Sequence, residues 1–299
     1  MFKKTALVAG IGLALSVTAQ ADYQWEVGGD YTYGQFSADT KDTAPNPSQS
    51  EDIDENIGRI YGTWYMENVD TSKGPLREAA FLDHASNITV DFTDGQIDLS
   101  SIGNNLDDQD GQTGSASMRY VAEGPGWKLS GWIADLGYEY REPGDRNIDV
   151  YNVGIGKYLT PNTTLVATYL SQNISNGPDS DGYDVTLEHF FAFSNGGLKA
   201  YASGGKEVVN NADDVDIYTV GATWYLNNNL GFGAGYRGAS QDGNEVNGFT
   251  VNADWFITES FGVDLTYGQV DFDDIDLVPG PGKVELENES INLGASFRF

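Results

Sequence analysis

The chain has 299 residues, 45 of them acidic and 16 basic, a net charge of −29 and no cysteine. That balance excludes a nucleic-acid partner, whose phosphates need a basic face, and docking on an anionic membrane surface. Without disulfides, stability must come from sheet and core alone. The mean hydropathy of −0.39 fits a soluble protein and a membrane barrel equally, because barrel strands carry only a weak apolar signal each.

The first element is "MFKKTALVAGIGLALSVTAQA". Lys3 and Lys4, an apolar run from Ala6 to Val17 and Ala19-Gln20-Ala21 have the pattern of a bacterial secretory signal peptide. The run is too short to span a bilayer comfortably. We expect a signal peptide over 1–21 and one folded unit over 22–299. Residues 1–21 hold two lysines and no acid, so 22–299 carry 14 basic against 45 acidic residues, a net −31.

From residue 22 the chain alternates apolar and polar residues with a period of two, the mark of strands. "DYQWEVGGDYTYGQ" (22–35) puts Tyr23, Trp25, Val27, Gly29, Tyr31 and Tyr33 on one face. "IGRIYGTWYM" (57–66) follows a polar stretch. "NITVDF" (87–92) and "SMRYVA" (117–122) flank an acidic insert over 93–114. "WKLSGWIADLGYEY" (127–140) shifts phase near Trp132, which suggests a bulge. Later segments at 151–159, 183–193, 214–226, 247–257, 260–270 and 289–299 alternate cleanly.

Short links at 159–162, 194–197, 227–229 and 258–260 alternate with longer, acidic ones at 173–181, 209–216, 240–245 and 273–288. That is the asymmetry of an outer-membrane barrel, with short periplasmic turns and longer outer loops. Tyr158, Phe193, Tyr225, Phe256 and Phe261 crowd the short-turn ends, as an interfacial aromatic girdle does. The expected fold is all-β: a transmembrane, antiparallel, up-and-down barrel of about 14 strands, with 12 or 16 as alternatives. Alternation runs to the last residue, Phe299. In a closed barrel the last strand pairs with the first, so no edge remains to fray.

The terminal Phe299 resembles the C-terminal signature that the barrel-assembly machinery of Gram-negative bacteria recognises. The stretch "KGPLREAAFL" (73–82), just after the second strand, resembles the general bacterial porin family of Gram-negative outer membranes at Gly74, Pro75, Leu76, Glu78, Ala79, Ala80, Phe81 and Leu82. The resemblance implies a diffusion channel in the outer membrane, in contact with its lipid and lipopolysaccharide, and no cofactor. It also makes a homotrimer one expectation, although fourteen-stranded barrels can be monomeric.

The candidate pore-lining residues are Glu26, Asp30, Arg59, Arg119, Glu188, Arg237, Asp254, Asp264 and Arg298. Opposed charges across a constriction select ions; the plainer role is pairing between neighbouring strands. The insert 93–114, with Ile97, Leu99, Ile102 and Leu106 to help it pack, is expected either to fold inward as a constriction loop or to lie as an outer loop over the lipid headgroups. Acidic runs at 107–110, 213–216 and 271–274 have the oxygen ligands that divalent cations use but read as solvated loops. No metal or catalytic residue is expected: the only histidines are His84, near the periplasmic end, and His189, mid-strand on the lipid face.

The resulting reading is a porin for passive diffusion of small hydrophilic solutes, with cation preference as a hypothesis from the net charge. Its rivals are a secreted calcium-binding β-sandwich or adhesin and a barrel with an enzymatic rim.

Overall fold

The structure is a computed structural model that describes residues 22–41, 50–98, 109–124, 130–144, 146–210, 213–242, 244–275 and 283–299. The expected signal peptide, 1–21, lies outside these. Among the described residues are fourteen strands: β1 (Tyr23–Lys41), β2 (Ser50–Val69), β3 (Asn87–Asp98), β4 (Gln109–Val121), β5 (Trp132–Pro143), β6 (Ile148–Thr160), β7 (Thr163–Ile174), β8 (Ser180–Phe193), β9 (Gly196–Val209), β10 (Val215–Tyr225), β11 (Leu230–Gln241), β12 (Asn244–Phe256), β13 (Phe261–Ile275) and β14 (Lys283–Arg298). Each pairs antiparallel with its sequence neighbours, and β14 pairs with β1 to close the barrel.

The closure extends to the last residue. The Phe299 carbonyl accepts the amides of Gln24 at 3.0 Å and Trp25 at 2.8 Å, and the Phe299 amide donates to Trp25 at 3.0 Å. The two faces of the wall differ as the alternation requires. Ile60, Ile155, Tyr183, Val220, Leu265 and Leu293 point outward and are exposed, which fits a surface solvated by lipid. Toward the membrane-crossing part the opposite parity carries most of the charged and amide side chains, whereas nearer the outer strand ends outward tyrosines such as Tyr138 and Tyr169 bond to outward carboxylates, Asp149 and Asp181.

Strand lengths run from 11 residues in β10 to 20 in β2, more than the roughly 9–11 that a bilayer crossing needs. The tallest strands, β13, β14, β1 and β2, are contiguous. Strand extension takes up most of the expected long outer links: β11 and β12 are joined by 242–243 alone, with Asp242 at φ 47°. The bulge expected near Trp132 is absent from β5, which pairs without a shift on both sides. Irregularities fall instead at Tyr23/Trp25, Tyr158/Thr160 and Phe272/Ile275.

Two connections at the end where β1 starts and β14 finishes, the periplasmic end in bacterial barrels, break the short-turn rule: 70–86 and 122–131. The first contains two single-turn 3-10 helices (Thr71–Lys73 and Leu76–Glu78) and an α-helical turn (Ala79–Leu82). It is not a surface turn. Leu76, Ala79 and Leu82 are buried, at 4%, 1% and 7% exposure.

Candidate functional site

Inside the periplasmic mouth the wall changes character. Most of the inner face is polar, but here it carries Tyr23, Tyr65, Val121, Ile133, Tyr158, Val166, Phe190, Tyr225 and Phe256, all buried. Apolar groups on the wet side of a barrel require a cover. The segment 70–86 is that cover, and it joins three separate arcs of wall. Ala79 packs with Tyr23, Tyr65 and Val69. Phe81 packs against Val121, Ile133, Tyr158 and Val166. Leu82 packs with Phe190 and Tyr225. Burying Leu76 and Leu82 contributes about 1.5–3 kcal/mol each.

This corrects the aromatic girdle. Tyr158, Tyr225 and Phe256 are buried inside, whereas Phe193 is 57% exposed on the lipid face. The outward aromatics at this end include Trp25, Trp132, Phe191, Phe193, Trp224, Trp255 and Phe299. Tyr23 also leaves the outward face expected for it: the register shift before Trp25 breaks the alternation, and Tyr23 packs with the inner cluster.

Polar contacts fix the segment to the wall around much of the barrel. Glu78 accepts from Lys199 Nζ of β9 at 2.8 Å and from the Tyr225 hydroxyl of β10 at 2.7 Å. Lys199 also lies 3.6 Å from Glu188 of β8 and 3.9 Å from the centre of the Phe81 ring. The Leu76 carbonyl accepts from Arg298 Nη1 at 2.7 Å, and the Leu76 amide donates to the Asn228 carbonyl at 2.8 Å. The Tyr158 hydroxyl donates to the Phe81 carbonyl at 2.9 Å. Asp83 closes the segment on itself, accepting from the Asp70 amide at 2.8 Å and pairing with Lys73. His84, at φ 57°, stacks on Tyr158 at 3.8 Å, with Nε2 2.8 Å from the Pro161 carbonyl.

Arg77 reaches from the segment toward Asp254 at 3.5 Å and Asp264 at 3.9 Å. Burial alone would lower its pKa; the charges of Asp254, Asp264 and Glu26 outweigh that and hold it above the ordinary arginine range. Arg77 therefore stays charged at any working pH.

Eight of the nine sequence candidates fall into charged clusters on the inner face. Glu26 and Arg298 pair at 2.6 Å. Arg119 clasps Asp135 with two bonds of 2.9 and 2.8 Å. Arg59 lies between Asp30 at 3.9 Å and Asp91 at 3.4 Å. Glu188 joins the Lys199 group, and Asp254 and Asp264 face Arg77. Arg237 stands apart, exposed on the inner parity opposite Gly248. The sequence analysis did not select Arg77, Lys199 or Asp135.

Only the flanks of the insert 93–114 are described. Residues 93–98 and 109–114 are strand, paired with each other as wall, and 99–108 lie outside the described residues. Among the described residues no group of three or more His, Cys, Asp or Glu could hold a metal ion. His189 is on the outward parity as expected, but near the periplasmic end of β8, with Nδ1 2.7 Å from the Thr163 hydroxyl.

Comparison with solved structures finds the crystal structure of the outer membrane protein Omp33 of Acinetobacter baumannii, with a TM-score of 0.60 and 21% identity over 94% of this chain and all of that one. At that identity the likeness concerns the fold. Looser similarities are to a Pseudomonas aeruginosa FadL homologue (TM-score 0.45, 10% identity, 92% of this chain and 90% of that one) and to the NanC porin (TM-score 0.42, 16% identity, 63% and 94%). No curated protein sequence matches the chain. The family model described as "Putative general bacterial porin" matches residues 30–200, more than half of the chain. The chain thus belongs to that general bacterial porin family: it is an outer-membrane β-barrel channel for passive diffusion of small hydrophilic solutes.

Proposed function

We propose that the segment 70–86 sets how freely this porin conducts, acting as a stopper held in the periplasmic mouth. The observation that carries this reading is the inward ring of apolar side chains on which Ala79, Phe81 and Leu82 sit. A wall that lined only water would carry no such ring. The Glu78–Lys199–Tyr225 contacts act as the latch.

We further propose that the nine inner charges expected from the sequence divide between wall and passage, with Asp254 facing Arg77 of the segment. Arg119, Arg298 and Glu26 serve mainly the wall, since tight bonds consume them. Arg59, Arg237, Asp30, Asp264 and Glu188 face the solute path, and the excess of acid over base favours cations. Phe299 is assigned as the assembly signal, and residues 1–21 as a cleaved signal peptide. Neither histidine is given a catalytic role, because each is engaged in a wall contact, and we assign the barrel no enzymatic activity.

The test is the reversal potential of the purified protein in a planar bilayer under a potassium chloride gradient. Cation preference gives the sign set by potassium. The opposite sign means that the inner arginines dominate and the selectivity assignment fails.

A further inference from the structure

Above the segment, against β1, β2, β13 and β14, lies a cavity of about 460 Å³ whose lining includes Arg59, Arg77, Arg298, Glu26, Asp30 and Asp264. Three guanidiniums against three carboxylates make it balanced in formal charge, in a chain with a net charge of −29. Its size falls within the range of small-molecule sites, about 300–1,000 Å³.

The register explains how these groups gather. One row around the inner wall runs Asp254, Asp264, Gly294, Asp30, Arg59 across β12, β13, β14, β1 and β2. Gly294 stands between Asp264 and Asp30. A Cβ there would lie 2.5 Å from Asp264 Oδ2, so the glycine gives the Asp264 carboxylate room to lie over the wall.

The arginines divide into two kinds. Arg298 is closed by Glu26 at 2.6 Å and by the Leu76 carbonyl at 2.7 Å. Arg59 and Arg77 are not closed. Their nearest carboxylate oxygens are 3.4–3.9 Å away, beyond the 2.7–3.2 Å of an N–H···O bond. Among the described residues neither donates a hydrogen bond, and both side chains are more than a third exposed, at 41% and 37%. Asp264 has Arg77 at 3.9 Å as its only ion-pair partner among the described residues. The cavity thus presents uncommitted donors of positive charge and an uncommitted acceptor of negative charge in one space.

We propose that this cavity is a seat for a small zwitterion of the α-amino-acid class, its carboxylate toward Arg59 and Arg77 and its ammonium toward Asp264 and Asp30. The proposal rests on the channel reading and names a solute that dwells in the passage. Guanidinium recognises carboxylate by charge-assisted hydrogen bonds. The row of aspartates rejects a plain anion, and the two guanidiniums reject a plain cation. Because Arg77 belongs to the segment 70–86, a bound carboxylate also competes with Asp254 and Asp264 for it.

The experiment is saturation-transfer NMR on the folded full-length protein in detergent, with alanine, propionate and propylamine as probes. Alanine is expected to bind at least about tenfold more tightly than either singly charged probe. Arg59→Gln, on the wall and away from the segment, should reduce alanine binding to the level of propylamine. Asp264→Asn should reduce it to the level of propionate. Equal binding of the three probes, no binding of alanine, or alanine binding unmoved by Arg59→Gln would each overturn the proposal. Because the readout is binding, a protein that conducts but ignores alanine defeats this inference alone, and one that binds alanine but never conducts defeats the channel reading.

Discussion

Arg298 and Glu26, 272 residues apart, face each other directly across the seam where β14 meets β1, with Nε 2.6 Å from Oε2. The same guanidinium donates to the Leu76 carbonyl at 2.7 Å and stacks over the rings of Tyr23 at 4.6 Å and Phe256 at 4.4 Å. One side chain therefore ties barrel closure to the seat of the segment 70–86. Breaking a buried pair from one side leaves the other charge uncompensated and costs about 3–5 kcal/mol. Arg298→Ala is expected to lose that much in urea unfolding from lipid vesicles. Replacing both partners by apolar residues of similar volume should recover most of it.

The Glu78–Lys199 latch should behave differently. Lys199 touches the segment and Glu188, but no strand-to-strand closure depends on it. Glu78→Gln is expected to leave barrel unfolding nearly unchanged and to raise the open fraction of single channels about tenfold, equivalent to ~1.4 kcal/mol. Lys199→Met should do the same, and the double variant should add little, because the two share one interaction.

Gly74 supplies a steric test. A Cβ there would stand 2.6 Å from Leu82 Cδ1 and 3.7 Å from the Phe190 ring. The backbone is extended at φ 164°, so the objection to a side chain is packing, not conformation. Gly74→Val should destabilise the seated segment by about 1–3 kcal/mol. The expected readout is faster proteolysis between 70 and 86 from the periplasmic side, with the wall intact.

The lipid face is tested by charge. Ile155, in the middle of β6, is 62% exposed on the outward parity. Ile155→Arg is expected to cost about 2–4 kcal/mol in a bilayer. Arg237→Ile, on the inner parity, should change stability little and shift ion selectivity instead.

The architecture was legible because a strand period of two survives on nearly every segment and both faces have a consistent character. The segment 70–86 was not, although residues 73–82 carry the family motif. Its signal lay in adjacent aromatics: Trp64-Tyr65, Phe190-Phe191, Trp224-Tyr225 and Trp255-Phe256. Each pair sends one ring to lipid and one inward. Position near a strand end suggests a girdle for both, whereas parity allows only one of them outside. The inward ring then demands a cover, and 70–86 is long enough to supply it. Lys199 and Arg77 gave no pattern of their own, because their partners come from distant strands. Tyr23 was misplaced because a register shift breaks the alternation before Trp25.

Single-channel conductance in a planar bilayer decides whether 70–86 is a stopper, by comparing the native protein with a variant in which residues 71–84 are replaced by a short Gly-Ser turn. Low or brief conductance in the native protein and large, long-lived openings in the variant are the expected result. Equal conductance in the two proteins, both folded and inserted, would contradict a stopper at the periplasmic mouth.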